Sequence, residues 1–329
     1  VQKRKLGLQG LEVPVLGLGC MGMTFAYGTG SDANECLKVL DRTLELGMNF
    51  WDTAQSYGPY TNEELLSKAL KGRREKVIIA TKFAWKNGVA GPDNLDGSAQ
   101  NARESLEGCL QRLGTDHIDL YYLHRKDPKI PIEETVAAMG QLVKEGKVKY
   151  IGLSEVGPNT LRKAHTVHPI TALQSEYSLW ENTLDEKIIP VLRELGIGLV
   201  AFSPVGRGFL TGQIKKFEDI PEKDMRRTLP RFQGENFNLN IQLVEEIKKI
   251  GAAKGITASQ AALAWVLSRG EDIVAIPGTT RVRHLEENAK AAESPLNDED
   301  LGKINSLLAQ FKISGARYSE SMAKMVTLD

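Results

Sequence analysis

Asn49-Phe50-Trp51-Asp52-Thr53-Ala54-Gln55-Ser56-Tyr57-Gly58 reads as an apolar strand that stops on a carboxylate, followed by a loop that carries a phenol. A strand ending on Asp is, taken singly, more often a helix cap or a solvated turn. Two later apolar runs end in a related way. Val77-Ile78-Ile79-Ala80-Thr81-Lys82 closes on an amine, and Ile118-Asp119-Leu120-Tyr121-Tyr122-Leu123-His124 closes on an imidazole.

Between these runs the apolar residues recur at helical spacing. Asp32 to Gly47 carries Cys36, Val39, Leu40, Thr43 and Leu44 on one face, with Gly47 placed to end the helix. Thr61-x-x-Glu64 predicts a capping box for a helix through Leu70, and Ala99, Ala102, Leu106, Cys109, Leu110 and Leu113 share another face. The alternation continues with a helix over Pro131 to Glu145, a strand Tyr150 to Ser154, a helix Pro158 to His165 and a strand Thr171 to Gln174. Thr183-x-x-Glu186 then predicts a capped helix ending near Gly196, and Gly198 to Phe202 a further strand. With Val15 to Gly19 at the start and Ile273 to Ile276 near the end, eight apolar strands alternate with helices.

Near-continuous apolar strands separated by helices indicate a parallel sheet covered by helices, and a closed (β/α)8 TIM barrel is the solution that fits eight of them. The open doubly wound rival needs a Gly-x-Gly-x-x-Gly turn opening a helix. Gly17-Leu18-Gly19-Cys20-Met21-Gly22 mimics that spacing, but no helix pattern follows it. The opening Arg4 to Val13, turning at Gln9-Gly10, predicts a small hairpin that plugs one end. Residues 1–329 therefore read as one barrel domain.

Composition narrows the function. Lys plus Arg and Asp plus Glu each number 42, so net charge offers no argument for nucleic acid or a membrane surface. No apolar run approaches the ~18 residues of a spanning helix. Three cysteines, Cys20, Cys36 and Cys109, without metal-type pairing suit a reducing cytoplasmic setting. His165-x-x-His168 has metal-like spacing, but Pro169 ends the helix and nothing nearby completes a site, so no metal is expected. Lys215-Lys216 and Arg226-Arg227 read as solvated surface.

In a parallel barrel all strands finish on one face, where active sites are built. Asp52, Lys82, His124, Ser154, Gln174 and Phe202 share that address. A buried lysine needs a counter-ion, and Asp52 is the candidate. A Lys82 cation beside Tyr57 is expected to lower the phenol's pKa, making Tyr57 a proton donor while another group delivers hydride. His124 is placed to orient a carbonyl. Singly, each of these residues has a bland reading as a rim or core residue; their joint placement argues against it.

These segments, together with Gly146-Lys147-Val148-x-x-Ile151-Gly152-Leu153-Ser154 and Gln174-Ser175-Glu176-Tyr177, resemble the aldo-keto reductases over nearly the whole chain. Ile276-Pro277-Gly278-Thr279-Thr280-Arg281 is similar to the perakine reductase and auxin-induced-protein-like branch. The resemblance implies a catalytic set of Asp52, Tyr57, Lys82 and His124, bound NADP(H), and a small-molecule aldehyde or ketone substrate. It implies that Ser154 and Gln174 hold the nicotinamide carboxamide and that Phe202 stacks on the ring, with Met21, Gly22, Asp52, Ser203 and Pro204 around them. Gly206, Arg207 and Gly208 would approach the pyrophosphate, while Gly278, Thr279, Thr280, Arg281, Glu287 and Asn288 would hold the adenosine phosphate end. Two positions depart from the family pattern. Glu155 stands where many members have Asn, and Gly278 where many have Lys, which shifts 2′-phosphate recognition onto Arg281 or Arg283.

The stretch from Gly206 to Phe237 is too long for a plain connection and is expected to be a lid, with Phe209, Phe217, Phe232 and Phe237 covering a ligand or packing down. The tail from Phe311 carries Tyr318, Met322 and Met325 with little periodicity, as a substrate-facing loop or as surface packing. Two other functions fit the same strand ends: a Schiff-base aldolase using Lys82, and a regulatory barrel that binds cofactor with little turnover.

Overall fold

The structure, a computed structural model, describes residues 1–28 and 31–329. An antiparallel hairpin of β1 (Lys3–Leu6) and β2 (Leu11–Pro14) precedes eight parallel strands. These are β3 (Leu18–Gly19), β4 (Phe50–Asp52), β5 (Ile78–Phe83), β6 (Ile118–Leu123), β7 (Val148–Ser154), β8 (Ala172–Glu176), β9 (Gly198–Phe202) and β10 (Ile273–Ala275). They lie side by side in chain order, and parallel bridges Leu16–Ala275 and Gly19–Gly278 join first to last. The expected (β/α)8 barrel is what forms.

The period-two alternation of a strand sorts each run into two cores. Phe50, Ala80, Leu120, Tyr122, Ala172, Val200 and Val274 face inward and pack with Leu6, Leu11 and Val13 of the hairpin. Trp51, Ile79, Tyr121, Leu123, Ile151, Leu153, Leu173 and Leu199 face outward under the helices. The hairpin is the plug expected from sequence: Arg4 donates to the carbonyls of Leu267, Gly270 and Ile273 at 3.0, 3.0 and 2.6 Å. Register and parity together fix which residues reach the inner rim. Asp52 lies two residues beyond inward Phe50, Lys82 two beyond Ala80, and His124 two beyond Tyr122.

Helices Ala33–Glu45, Ala99–Leu113, Ile132–Lys144 and Pro158–Val167 fall where periodicity put them. A buried carboxylate ties two layers together: Glu63 accepts from Thr81 of β5 and from Arg112 of the Ala99–Leu113 helix, both at 2.6 Å. Thr257 and Gln260 form a capping box at the start of the helix Ala258–Ser268.

The capping boxes read at Thr61 and Thr183 do not form. Tyr60, with φ of 70°, turns the chain into the helix Thr61–Leu70, so Thr61 is already helical and its hydroxyl donates to the Gly58 carbonyl. Thr183 donates instead to Glu181, and the helix expected to run to Gly196 is split into Leu184–Lys187 and Ile189–Leu195. Pro190 lacks the N–H that would have continued the first segment.

The segment after β9 forms short 3₁₀ turns and reaches the helix Gly234–Ala252. Phe209, Phe232 and Phe237 are buried and pack with one another and, through Phe209 and Phe232, with Trp180; the Phe209 and Trp180 rings stack at 4.6 Å. They pack down rather than waiting over an open site. Met225 N–H bonds the Ala26 carbonyl, so this segment also straps across to the loop after β3.

Gly152 faces the barrel interior, where an added Cβ would come within 2.5 Å of the Tyr122 ring and 2.8 Å of the Ala172 carbonyl. Overpacking of this kind costs about 1–3 kcal/mol. Gly152→Ala should therefore lower the urea midpoint at unchanged slope; an unaltered midpoint would show that the interior has room that its packing does not reveal.

Candidate active site

Strand parity brings Asp52, Lys82 and His124 to the inner rim at the C-terminal ends of β4, β5 and β6, and the loop after β4 returns Tyr57 to them. Lys82 is wholly buried and ion-paired with Asp52. Its Nζ also donates to the Thr53 carbonyl at 2.7 Å and to the Tyr57 hydroxyl at 3.3 Å. All three ammonium donors are thus committed.

The second Asp52 oxygen accepts from Gln174 Nε2 at 2.7 Å. Sequence reasoning had Gln174 facing the carboxamide; here its amide nitrogen fixes the carboxylate that holds Lys82. Burial raises the Asp52 carboxyl against the pull of Lys82 and Gln174. Burial opposes the Lys82 charge, yet Asp52 and Tyr57 hold the ammonium above its ordinary value.

The expected lowering of the Tyr57 pKa does not occur. Lys82 does pull it down, but burial of the phenol outweighs that pull and the net shift is upward. The phenol consequently keeps its proton at neutral pH. His124 moves the other way: burial, with Lys82 and Arg125 nearby, depresses its pKa well below the usual imidazole value, so the ring is neutral. It meets Tyr57 edge-on at 5.8 Å and Trp85 at 4.9 Å. His124 Nδ1 and Trp85 Nε1 have no hydrogen-bond partner among the described residues.

The remaining rim residues divide into three groups. Ser154 and Phe202 end β7 and β9, and Met21 and Gly22 follow β3 in a 3₁₀ turn. Ser154 accepts from Arg125 at 3.1 Å. Ser203, at φ 49°, and Pro204 lead into Gly206-Arg207-Gly208, where all three residues have positive φ. The Arg207 guanidinium is buried and paired with Glu176 at 3.0 Å, so this loop can offer a ligand its backbone rather than that charge. Gly278 lies outside β10, where a Cβ would crowd the Gly19 carbonyl at 3.0 Å; the tight barrel seam accounts for glycine there.

Beyond it, Thr279, Thr280 and Arg281 lead into the helix Val282–Ala289, whose first turn carries no acid. Arg281 and Arg283 are exposed, and neither pairs with a carboxylate among the described residues. A helix N-terminus with two free guanidiniums fits a phosphate. Glu287 accepts from Thr257, and Asn288 is buried behind it.

Sequence reasoning missed the tail's engagement. Arg317 grips Glu155 through both carboxylate oxygens at 3.0 and 2.6 Å and lies 3.6 Å from Glu176. Tyr318 is buried over Arg317, its ring 4.5 Å from that guanidinium. The role of Glu155 is to hold the tail, and no local pattern could have paired positions so far apart. No group of residues able to hold a metal occurs among the described residues, and no described helix is long and apolar enough to cross a membrane.

The family model for the aldo/keto reductase family matches residues 15–309. A probable aldo-keto reductase 1 from Glycine max is 46% identical over 97% of this chain and 92% of its own length. Among solved structures, a thermostable aldo-keto reductase in complex with the inhibitor epalrestat is 31% identical, with a TM-score of 0.76 over 93% of this chain and all of its own. The holo form of an aldo-keto reductase from Bacillus halodurans is 30% identical, with a TM-score of 0.76 over 97% and 99%. The glycerol dehydrogenase of Gluconobacter oxydans, at 24% identity and a TM-score of 0.84 over 96% and 98%, shares the fold.

The depressed His124 pKa has a signed consequence. Below about pH 6.5 the unfolded chain protonates this imidazole while the folded one does not, so stability falls as pH drops, by up to ~1.4 kcal/mol per pH unit. His124→Gln should lessen the loss of stability between pH 6.5 and 5 without changing the slope above 7. Urea titrations of both proteins across that range check it, and identical pH profiles would contradict a buried neutral His124.

Proposed function

The chain belongs to the aldo/keto reductase family, and we propose that it is an NADPH-dependent reductase of aldehydes or ketones, housed in one barrel domain, with Tyr57 as general acid. The reading rests on a protonated phenol 3.3 Å from a buried, ion-paired ammonium, with a neutral imidazole at its edge. The nicotinamide, when bound, supplies the hydride. The protein residues manage the proton. Tyr57 holds it until the carbonyl oxygen gains charge, and Lys82 then stabilises the phenolate that forms. Asp52, fixed by Gln174, keeps Lys82 charged and in place. Neutral His124 donates to the carbonyl oxygen and orients it.

Ser154 and Phe202 would hold the nicotinamide, the backbone around Ser203 to Gly208 the pyrophosphate, and Arg281 and Arg283 the 2′-phosphate. The aldolase alternative loses support from the same geometry. A Schiff-base lysine must be neutral to attack, whereas Lys82 is held as a cation. The three cysteines are buried and unpaired, which suits a reducing compartment such as the cytoplasm.

Tyr57→Phe should retain cofactor affinity and lose turnover by ~10²–10⁴-fold, the usual contribution of positioned acid catalysis. Single-turnover NADPH oxidation measures it, and a variant keeping more than about a tenth of the rate would require a different donor. Cofactor choice has its own test. A charged hydrogen bond to the 2′-phosphate is worth about 1.5–3 kcal/mol, so wild type should bind NADPH roughly ten- to 150-fold tighter than NADH. Arg281→Ala should remove most of that preference. Dissociation constants for both cofactors decide the matter: equal wild-type affinities, or equal weakening of both in the variant, would remove Arg281 from phosphate recognition.

A further inference from the structure

Three guanidiniums gather at the mouth of the barrel, and among the described residues only two carboxylates pair with them. Arg207 pairs with Glu176, and Arg317 with Glu155 and more distantly with Glu176. Arg125, the residue after His124, is left over. Its Nη1 donates to the His124 carbonyl at 2.7 Å and the Ser154 hydroxyl at 3.1 Å, and its Nη2 reaches the Tyr318 hydroxyl at 3.5 Å. Every one of these acceptors is neutral. Asp127, two residues on, accepts from the backbone N–H groups of Gly97 and Lys129 and makes no ion pair with Arg125.

Lys82 does not alter this tally, because Asp52 neutralises it. The mouth therefore carries one guanidinium in excess, half-buried rather than dispersed in solvent. It stands close enough to the reacting groups for its charge to act on both Tyr57 and His124. Glu155 also feels the Arg125 charge, but its two oxygens are already taken by Arg317. A partly desolvated cation with no ion pair of its own favours an incoming anion, and the planar fork of arginine matches a carboxylate in two hydrogen bonds.

We propose that Arg125 anchors an anionic group on the substrate, so that the enzyme prefers carbonyl compounds bearing a carboxylate over neutral ones of the same shape. The proposal rests on the reductase reading above and adds the substrate class. Binding the carboxylate beside Tyr318 would leave the carbonyl end of the same molecule to face Tyr57 and His124. Arg125 thereby selects the substrate, and the proton remains the business of Tyr57.

The experiment compares 4-carboxybenzaldehyde with 4-methylbenzaldehyde in NADPH-oxidation assays on wild type, Arg125→Met and Arg125→Lys. Within each protein the ratio of the two kcat/KM values is read, which cancels any loss of active fraction; the change in that ratio between proteins cancels intrinsic reactivity. Arg125→Met should lower the carboxylated-to-neutral ratio by roughly ten- to 150-fold, mainly through KM, and Arg125→Lys should restore part of it. A ratio equal in wild type and Arg125→Met overturns the proposal. Weakened NADPH binding in Arg125→Met with an unchanged ratio overturns it too, and reassigns the charge to the cofactor's phosphates. If wild type reduces neither aldehyde, the reductase reading fails on its own. Quenching of tryptophan fluorescence by 4-carboxybenzamide, absent with 4-methylbenzamide and lost in Arg125→Met, would then still report the anion site; no quenching in wild type would remove it.

Discussion

An ammonium on the inner wall of a closed barrel is tolerable only against an anion, and the Asp52–Lys82 pair meets that condition with no water-facing surface to spare. Removing one partner of such a pair typically costs about 3–5 kcal/mol, because the other is left charged in a poor solvent. The arrangement at the rim follows from this constraint. Gln174 is drawn to Asp52, the Thr53 carbonyl turns towards Lys82, and the Tyr57 hydroxyl accepts from the remaining ammonium N–H. What looks like a reaction centre is first a solution to a burial problem.

The rim was legible in the sequence because strand parity is rigid. Once Phe50, Ala80 and Tyr122 face inward, Asp52, Lys82 and His124 must follow, and apolar runs of this length mark their own ends. Local signals were less secure. Thr61 and Thr183 sit at capping spacing, yet Tyr60 enters the helix through a left-handed turn and the Thr183 hydroxyl donates to Glu181, so neither hydroxyl caps. The direction of the Tyr57 shift was misjudged for a different reason. Sequence reveals a cation nearby but not the depth of burial that outweighs it.

Arginine is used in two ways across this barrel. Arg207 and Arg317 are enclosed and neutralised, and they hold a loop and the tail against Glu176 and Glu155. Arg281 and Arg283 stand in solvent at a helix start, where charge remains available to a ligand. No composition count distinguishes these uses. The difference lies in which carboxylates the fold brings within reach, and those partners are remote in sequence.

The grip of Arg317 on Glu155 spans 162 positions of chain. Closing so wide a loop directly is entropically unfavourable, and pairing of the strands between shortens the loop that remains to be closed. Glu155 itself holds a left-handed backbone with φ of 55°, a conformation that a glutamate adopts only when its surroundings enforce it. The wall beside Asp52, Lys82 and Tyr57 thus depends on the barrel strands that lie between its two partners in sequence, and the barrel they form holds Glu155 in its strained backbone. A chain arrested before the tail docks would possess the ion pair and the phenol, but not the enclosed mouth that gives them a selective environment.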